Sequence, residues 1–462
     1  MAPKTHRHLP ANRLLALLFA LAIASPLIAD EVNRPGDLMK YTGPGSCAAP
    51  ACHGGIEPRY TLAVLQNEYS TWLLHDKHTQ AYNALRTPVG QRMGRILGLK
   101  NKPEDDDKCL LCHALSVPEE RRAKSFNTKE GVKEGVSCEN CHGPASGWLG
   151  PHTEGDLKDG TAYQRAVKDQ GMVDTRNLIV RTEKCLECHL GDEKRFVDHK
   201  MIAAGHPDLY FELESFSTLM PRHWKEPPDY EKDKDPWRGV KTLGTGQAVQ
   251  LREALRRLAR RAQGTVWPEY AELQCFACHH SLTAAKDSWR QERGYAGRRP
   301  GNVPWDESRY AVFRQLAHAV NAPAGQELDA ELGKLSGLVS ELHGDRIQIA
   351  SVATNASVIA DRLAQGIASP QFKFTPDATK DLMQSISANA NGISSQDERA
   401  AEQAAMALDS LFLAYTHNVK LSNQAQVKAA IEGLFPQFND PSSYNAPKFA
   451  RQLHALNALL PR

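Results

Sequence analysis

Ten cysteines occur in 462 residues, and each falls in a pair closed by histidine: Cys47-Cys52-His53, Cys109-Cys112-His113, Cys138-Cys141-His142, Cys185-Cys188-His189 and Cys275-Cys278-His279. A chain built this way must fold around whatever those pairs hold. Two thiols at short spacing can form thioethers to the two vinyl groups of one porphyrin, and the adjacent imidazole then swings beneath the iron. The pattern therefore reads as c-type haem attachment, five times over. Four pairs enclose two residues, whereas the first encloses four, a rarer form of the same signature. Tetrahedral zinc does not need a histidine directly behind the second thiolate. A disulfide framework needs an even cysteine count but not a tight pair followed each time by histidine. The expected covalent haem residues are the ten cysteines, and the expected proximal iron ligands are His53, His113, His142, His189 and His279.

Near the N-terminus, Lys4, Arg7 and Arg13 precede the apolar run Leu14 to Ala24, and Leu27-Ile28-Ala29 ends in a small residue before Asp30. This is the pattern of a secretory signal peptide over residues 1–29. The apolar run is short for a bilayer span. The expected location is the periplasm, with membrane association only through an uncleaved signal or a partner. Removing this basic segment takes the formal charge from +2 to about −1, and ten haem propionates would take it to about −11. So acidic a holoprotein is a poor match for nucleic acid. It suits basic patches on redox partner proteins that donate and accept electrons.

The motifs run from Cys47 to His279, so five cofactors share about 230 residues and the porphyrins must supply much of the core. The expected fold is mainly α, with short helices and loops around packed haems over residues 30–293. Residues 294–304, rich in Gly, Pro and Arg, read as a linker. A helical C-terminal domain is expected over 305–462, where Ile349, Val352, Ala356, Ile359 and Leu363, and then Ala404, Leu408, Leu411 and Tyr415, recur at helical spacing. Thr375 before Pro376, and Ser395 three residues before Glu398, are the expected helix starts. One more helix, over Thr245 to Gln263, carries Val249, Leu251, Leu255, Leu258 and Ala262 on one side. Arg252, Arg256, Arg257, Arg260 and Arg261 lie elsewhere on it, either as a solvated face or as a dock for propionates or an acidic partner.

What faces each proximal histidine decides the chemistry. A second imidazole closes the iron for one-electron transfer, while an open side can bind a small molecule. The haem region offers His75, His78, His152, His199, His206, His223 and His280. His75 and His78 lie on one helical-looking run, Tyr69 to Leu85, and would compete for one iron, with His78 preferred. His199 and His206 are two helical turns apart and could serve separate irons. His280 would be turned away from the iron of its neighbour. Met201 and Met220 are read as packing residues, and His318, His343, His417 and His454 as ordinary residues of the helical region.

The run Tyr41 to Cys47, Trp72 with His78 downstream, Gly135 to Pro144 with His152 beyond, and His199 to Pro207 followed by Phe211-Glu212-Leu213 together resemble multihaem cytochromes of the cytochrome c-554 type. The resemblance covers about Tyr41 to Leu282. It implies periplasmic electron transfer through closely packed haems, mostly with two axial histidines, although the name-giving type carries four haems, one of them without a strong distal ligand. By resemblance, His78, His152, His199 and His206 match segments where distal ligands are expected. His223 is the fifth choice, on spacing. The leading functional expectation is a periplasmic electron-transfer protein with five covalent haems, mostly bis-histidine ligated. The alternative is a multihaem oxidoreductase acting on small nitrogen or sulfur compounds at one five-coordinate haem, and a third reading is a filament subunit or scaffold.

Expression with a haem-ligation system should yield a chain carrying five covalent haems and lacking about 29 N-terminal residues. Intact mass measures both, and a mass corresponding to four haems would mean that the Cys47/Cys52 loop is not loaded.

Overall fold

The computed structural model describes residues 39–60, 64–127, 133–154, 161–225, 235–279, 303–341, 343–440 and 444–461. The expected signal segment, His280 and all but the last two residues of the expected linker lie outside them. The fold is mainly α. Among the described residues there is no strand, only isolated bridges pairing Tyr41 with Arg122 and Leu273 with Trp305.

Before residue 178 the helices are short, including Glu68–His75, Ala81–Leu85, Asp107–His113 and Cys138–His142. The buried apolar side chains here gather in three small groups: Tyr82, Leu85, Leu110 and Ala114; Leu115, Val117 and Phe126; and Ala145, Trp148 and Ala166. Groups of this size bury too little surface to offset the entropy of ordering the chain around them. Among the described residues this part of the polypeptide has no large core of its own, in line with its motif density.

From Ile179 onward one continuous core runs to Leu460. Its axis is the helix Arg238–Gln263, longer than the expected 245–263 because Val240 and Leu243 extend its apolar surface and are fully buried. It packs most extensively along Arg346–Ala368 and also against Leu178–His189 and Glu398–Asn418. Close approach depends on small residues. A Cβ at Gly246 would sit 2.6 Å from Leu213 Cβ, and one at Gly244 would sit 3.3 Å from Ile367 Cγ2. The core thus crosses the expected linker, since Leu186, Leu190, Phe211 and Leu213 share it with Phe313, Leu316 and Leu363.

The arginines of this helix do not form a free basic stripe. Arg252, 2 % exposed, pairs with Glu183, with Glu253 at 2.8 Å and with Asp361 at 2.5 Å. Arg256 pairs with Glu253, Arg257 and Arg261 with Glu272, and Arg260 with Glu193. Buried guanidinium groups must be paired to be tolerated, and here they link helices. Thr375 caps Pro376–Ala388 as expected, its Oγ1 accepting from Ala378 N–H at 3.1 Å. Ser395 is not a helix start. Asp397, next to Glu398, takes the cap by accepting from Ala400 N–H at 3.0 Å, and Ser395 instead closes Ala390–Ser394.

A fragment of residues 305–462 lacks Val240, Leu243, Leu251, Leu255 and Leu258, each fully buried and each worth roughly 1.5–3 kcal/mol of burial. It should lose cooperative thermal unfolding by circular dichroism, and a fragment of residues 235–462 should regain it.

Candidate haem centres

The first motif begins on the single turn Pro44–Cys47. Its longer loop is coiled tightly: Cys52 N–H and Gly54 N–H both donate to Ala49 O, at 2.8 and 3.0 Å. A Cβ at Gly54 would lie 1.8 Å from Ala48 O, so glycine is what lets the loop close and turn His53 inward. The His53 ring faces His152 with centroids 6.2 Å apart and planes 12° apart. His53 Nδ1 donates to Glu68 Oε2 at 2.8 Å, and His152 Nδ1 donates to Trp148 O at 2.9 Å. Burial favours a neutral His53, yet the Glu68 carboxylate outweighs it and holds the ring above its ordinary value.

The second motif lies on Asp107–His113, and the fourth ends Leu178–His189. His113 faces His206 with centroids 6.3 Å apart and planes 89° apart. Its Nδ1 donates to Ala81 O at 2.8 Å, and that of His206 to Pro207 O at 2.7 Å. Gly205, at φ +111°, stops the helix His199–Ala204 and lets the chain present the two histidines to different centres. His189 faces His78 at 6.2 Å and 86° and is backed by Phe211 and Phe216. Burial, then the neighbouring His78, pushes His189 down to about 4 and keeps it neutral, as a metal-ligating imidazole must be.

The expected helical run through His75 and His78 is broken at Asp76, whose backbone is extended. His75 is left exposed, while His78 turns toward His189, with its Nδ1 donating to Asp76 Oδ1 at 2.9 Å. His78 O then accepts from Val136 N–H at 3.0 Å. A Cβ at Gly135 would lie 2.5 Å from the same carbonyl, so this glycine, at φ +77°, lets the third motif dock there.

At the fifth motif, His279 faces His199 with centroids 6.1 Å apart and planes 33° apart, and Tyr270 packs on His199. Cys275 is gripped from the helical region, where Arg399, 3 % exposed, donates to its Sγ at 2.9 Å and pairs with Asp306 and Asp208.

The third motif differs from the other four. His142, on Cys138–His142, has a buried Nδ1 without a hydrogen-bond partner, and burial followed by the neighbouring His223 pushes it down to about 4. Among the described residues no imidazole stands opposite it at the spacing of the other pairs. His223 has Nδ1 donating to Pro221 O at 3.2 Å and packs edge-on against Trp224. It is thus oriented like a ligand, but it forms no such ring pair.

These residues fit haem. Two metal–nitrogen bonds of about 2 Å, together with the depth of two rings, span about 6 Å, the spacing of all four pairs. Carboxylates and carbonyls can only accept, so Nδ1 of His53, His78, His113, His152, His206 and His223 must carry the proton. That leaves each Nε2 lone pair free for a metal. The Cys47 and Cys138 thiols are within hydrogen-bond reach of one another, as are Cys112 and Cys188, so attachment points of different motifs meet. Residues 47–143, which hold the first three motifs, match the family described as cytochrome c554 and c-prime. Over these residues the chain is similar to c-type cytochromes of the c554 family.

No curated protein and no solved structure matches the chain. This cytochrome is a haem c electron-transfer protein, and c-type cytochromes as a class work outside the cytoplasm. Among its described residues no helix is long and apolar enough to cross a membrane. Sequence reasoning missed Glu68, Asp76 and Arg399. Asp76, two residues before His78, was the only one with a local signal.

Beside the fifth motif, Asp397 is buried and its Oδ2 has no partner. Burial, then the charges of Asp306 and Glu398, pushes it up to about 8 from an ordinary 3.8. Because the folded-state value is raised, ionisation of Asp397 opposes folding, at a cost that accumulates from about pH 4 to about pH 8. Asp397→Asn retains the capping oxygen, so its thermal-midpoint gain over the unmodified protein should grow across that range and level off above it.

Proposed function

We propose that this cytochrome is a five-haem periplasmic electron relay in which four irons are closed by histidine pairs. The observation that carries this is the set of four imidazole pairs, His53/His152, His113/His206, His189/His78 and His279/His199, with centroids 6.1–6.3 Å apart. The haem, when bound, supplies a one-electron iron couple. The cysteine pairs would tether it, and the facing imidazoles would hold the iron six-coordinate and exclude other ligands. Contacts between Cys47 and Cys138 and between Cys112 and Cys188 would bring neighbouring cofactors close enough for electron hops. Donor and acceptor would be redox proteins with basic faces, associating in a salt-sensitive way with the acidic holoprotein.

A second reading has one observation in its favour. His142 lacks a facing imidazole among the described residues, which suits an iron open on one side and able to bind a small nitrogen or sulfur compound. Spin state separates the possibilities. The unmodified holoprotein should contain about one high-spin haem and bind about one carbon monoxide when reduced, and His152→Ala should raise both to about two while leaving covalent attachment intact. His223→Ala should leave both at one. A fully low-spin protein that becomes high-spin in His223→Ala would make His223 the fifth distal ligand, and rapid turnover of nitrite or hydroxylamine would favour the enzyme over the relay.

A further inference from the structure

The ligating imidazoles differ in what accepts their Nδ1–H. At His113, His206 and His152 the acceptor is a neutral backbone carbonyl, at 2.7–2.9 Å. At His53 and His78 it is a carboxylate, Glu68 Oε2 at 2.8 Å and Asp76 Oδ1 at 2.9 Å. Both carboxylates are held in place. Glu68 Oε1 accepts from Leu65 N–H at 2.6 Å, and Asp76 Oδ1 also accepts from His78 N–H at 2.9 Å. Both are shielded from water, with side chains 15 % and 4 % exposed. Neither has a lysine or arginine partner in the described structure; the ion pair of each is with its histidine.

Resting on the ligation proposed above, we infer that Glu68 and Asp76 are positioning residues that lower the reduction potentials of the first- and fourth-motif haems below that of the second. A hydrogen bond to an ionised acceptor is roughly twice as strong as one to a neutral acceptor. It pulls the Nδ1 proton away from the ring, makes Nε2 a stronger donor, and so stabilises the oxidised iron over the reduced one. The nearby negative charge acts in the same direction, and burial keeps it from being screened. The second-motif centre, with carbonyl acceptors on both His113 and His206, receives neither contribution.

The test is a potentiometric titration of the full holoprotein, followed by optical and electron paramagnetic resonance spectra. The near-parallel His53/His152 planes give a low-spin signal distinct from those of the near-perpendicular His189/His78 and His113/His206 planes, and the wave that moves in Asp76→Asn separates the fourth-motif centre from the second. Glu68→Gln should move the first-motif wave to more positive potential, and Asp76→Asn, whose Oδ1 can still accept from His78 N–H, should move the fourth-motif wave in the same direction. In each variant the other waves and the haem count should hold, and Glu68→Asp should return the first wave toward its original position. Unmoved waves with the low-spin signals intact overturn the inference. So does replacement of the low-spin signal by a high-spin one, which would mean that the carboxylate only secures ligation, and so does failure of both variants to accumulate as holoprotein. Absence of bis-imidazole signals in the unmodified protein would instead defeat the proposed ligation before any variant is made.

Discussion

Everything in the haem-motif region depends on which ring nitrogen carries the proton. An imidazole can bind a metal through Nε2 only when Nδ1 holds the hydrogen, and six rings here have Nδ1 against an oxygen that can only accept. Four of those oxygens are backbone carbonyls: Ala81 on the five-residue helix Ala81–Leu85, Trp148 in a turn, and Pro207 and Pro221 in irregular segments just past short helices. Long helices consume their carbonyls in internal hydrogen bonds, whereas short ones leave acceptor capacity free near every end. The fragmented secondary structure between residues 39 and 225 is therefore the source of the oxygens that orient these imidazoles.

How much of this the sequence discloses depends on whether a relation is local. The paired thiols with their following imidazole lie at nearly fixed spacing, so the motif that would attach haem is a local pattern. The choice of His78 over His75 was also accessible, but its reason, the chain break at Asp76, is a matter of backbone geometry. His199 and His206 were separable by their spacing. His223 was named on spacing too, yet imidazole pairing is a tertiary relation, and among the described residues no second imidazole faces it. Glu68 lies 15 residues from His53 with nothing local to join them. The helix Arg238–Gln263 was legible as a helix but not as the axis of the C-terminal core. A sequence shows that a surface is apolar without showing which neighbour covers it, although a helix apolar on most sides is itself a sign of a central position.

The junction between the helical region and the fifth motif is made of charges. Arg399, Asp306 and Asp208 meet at Cys275, while Arg257 and Arg261 close on Glu272 a few residues before it. Buried pairs of this kind add little net stability once desolvation is counted, but they demand one geometry. Apolar packing joins the bundle to the residues upstream, and this network fixes where the fifth attachment point sits relative to it.

The meeting of cysteines from different motifs carries a consequence for biogenesis. Cys47 is buried and lies against Cys138, and Cys112 lies against Cys188. A ligation enzyme must bring a porphyrin vinyl group up to each thiol, which requires the thiol to be reachable. In the docked arrangement those sulfurs cover one another. If these pairs hold haem as proposed, each of the four thiols would have to meet its vinyl group before the segments dock, so loading would precede docking.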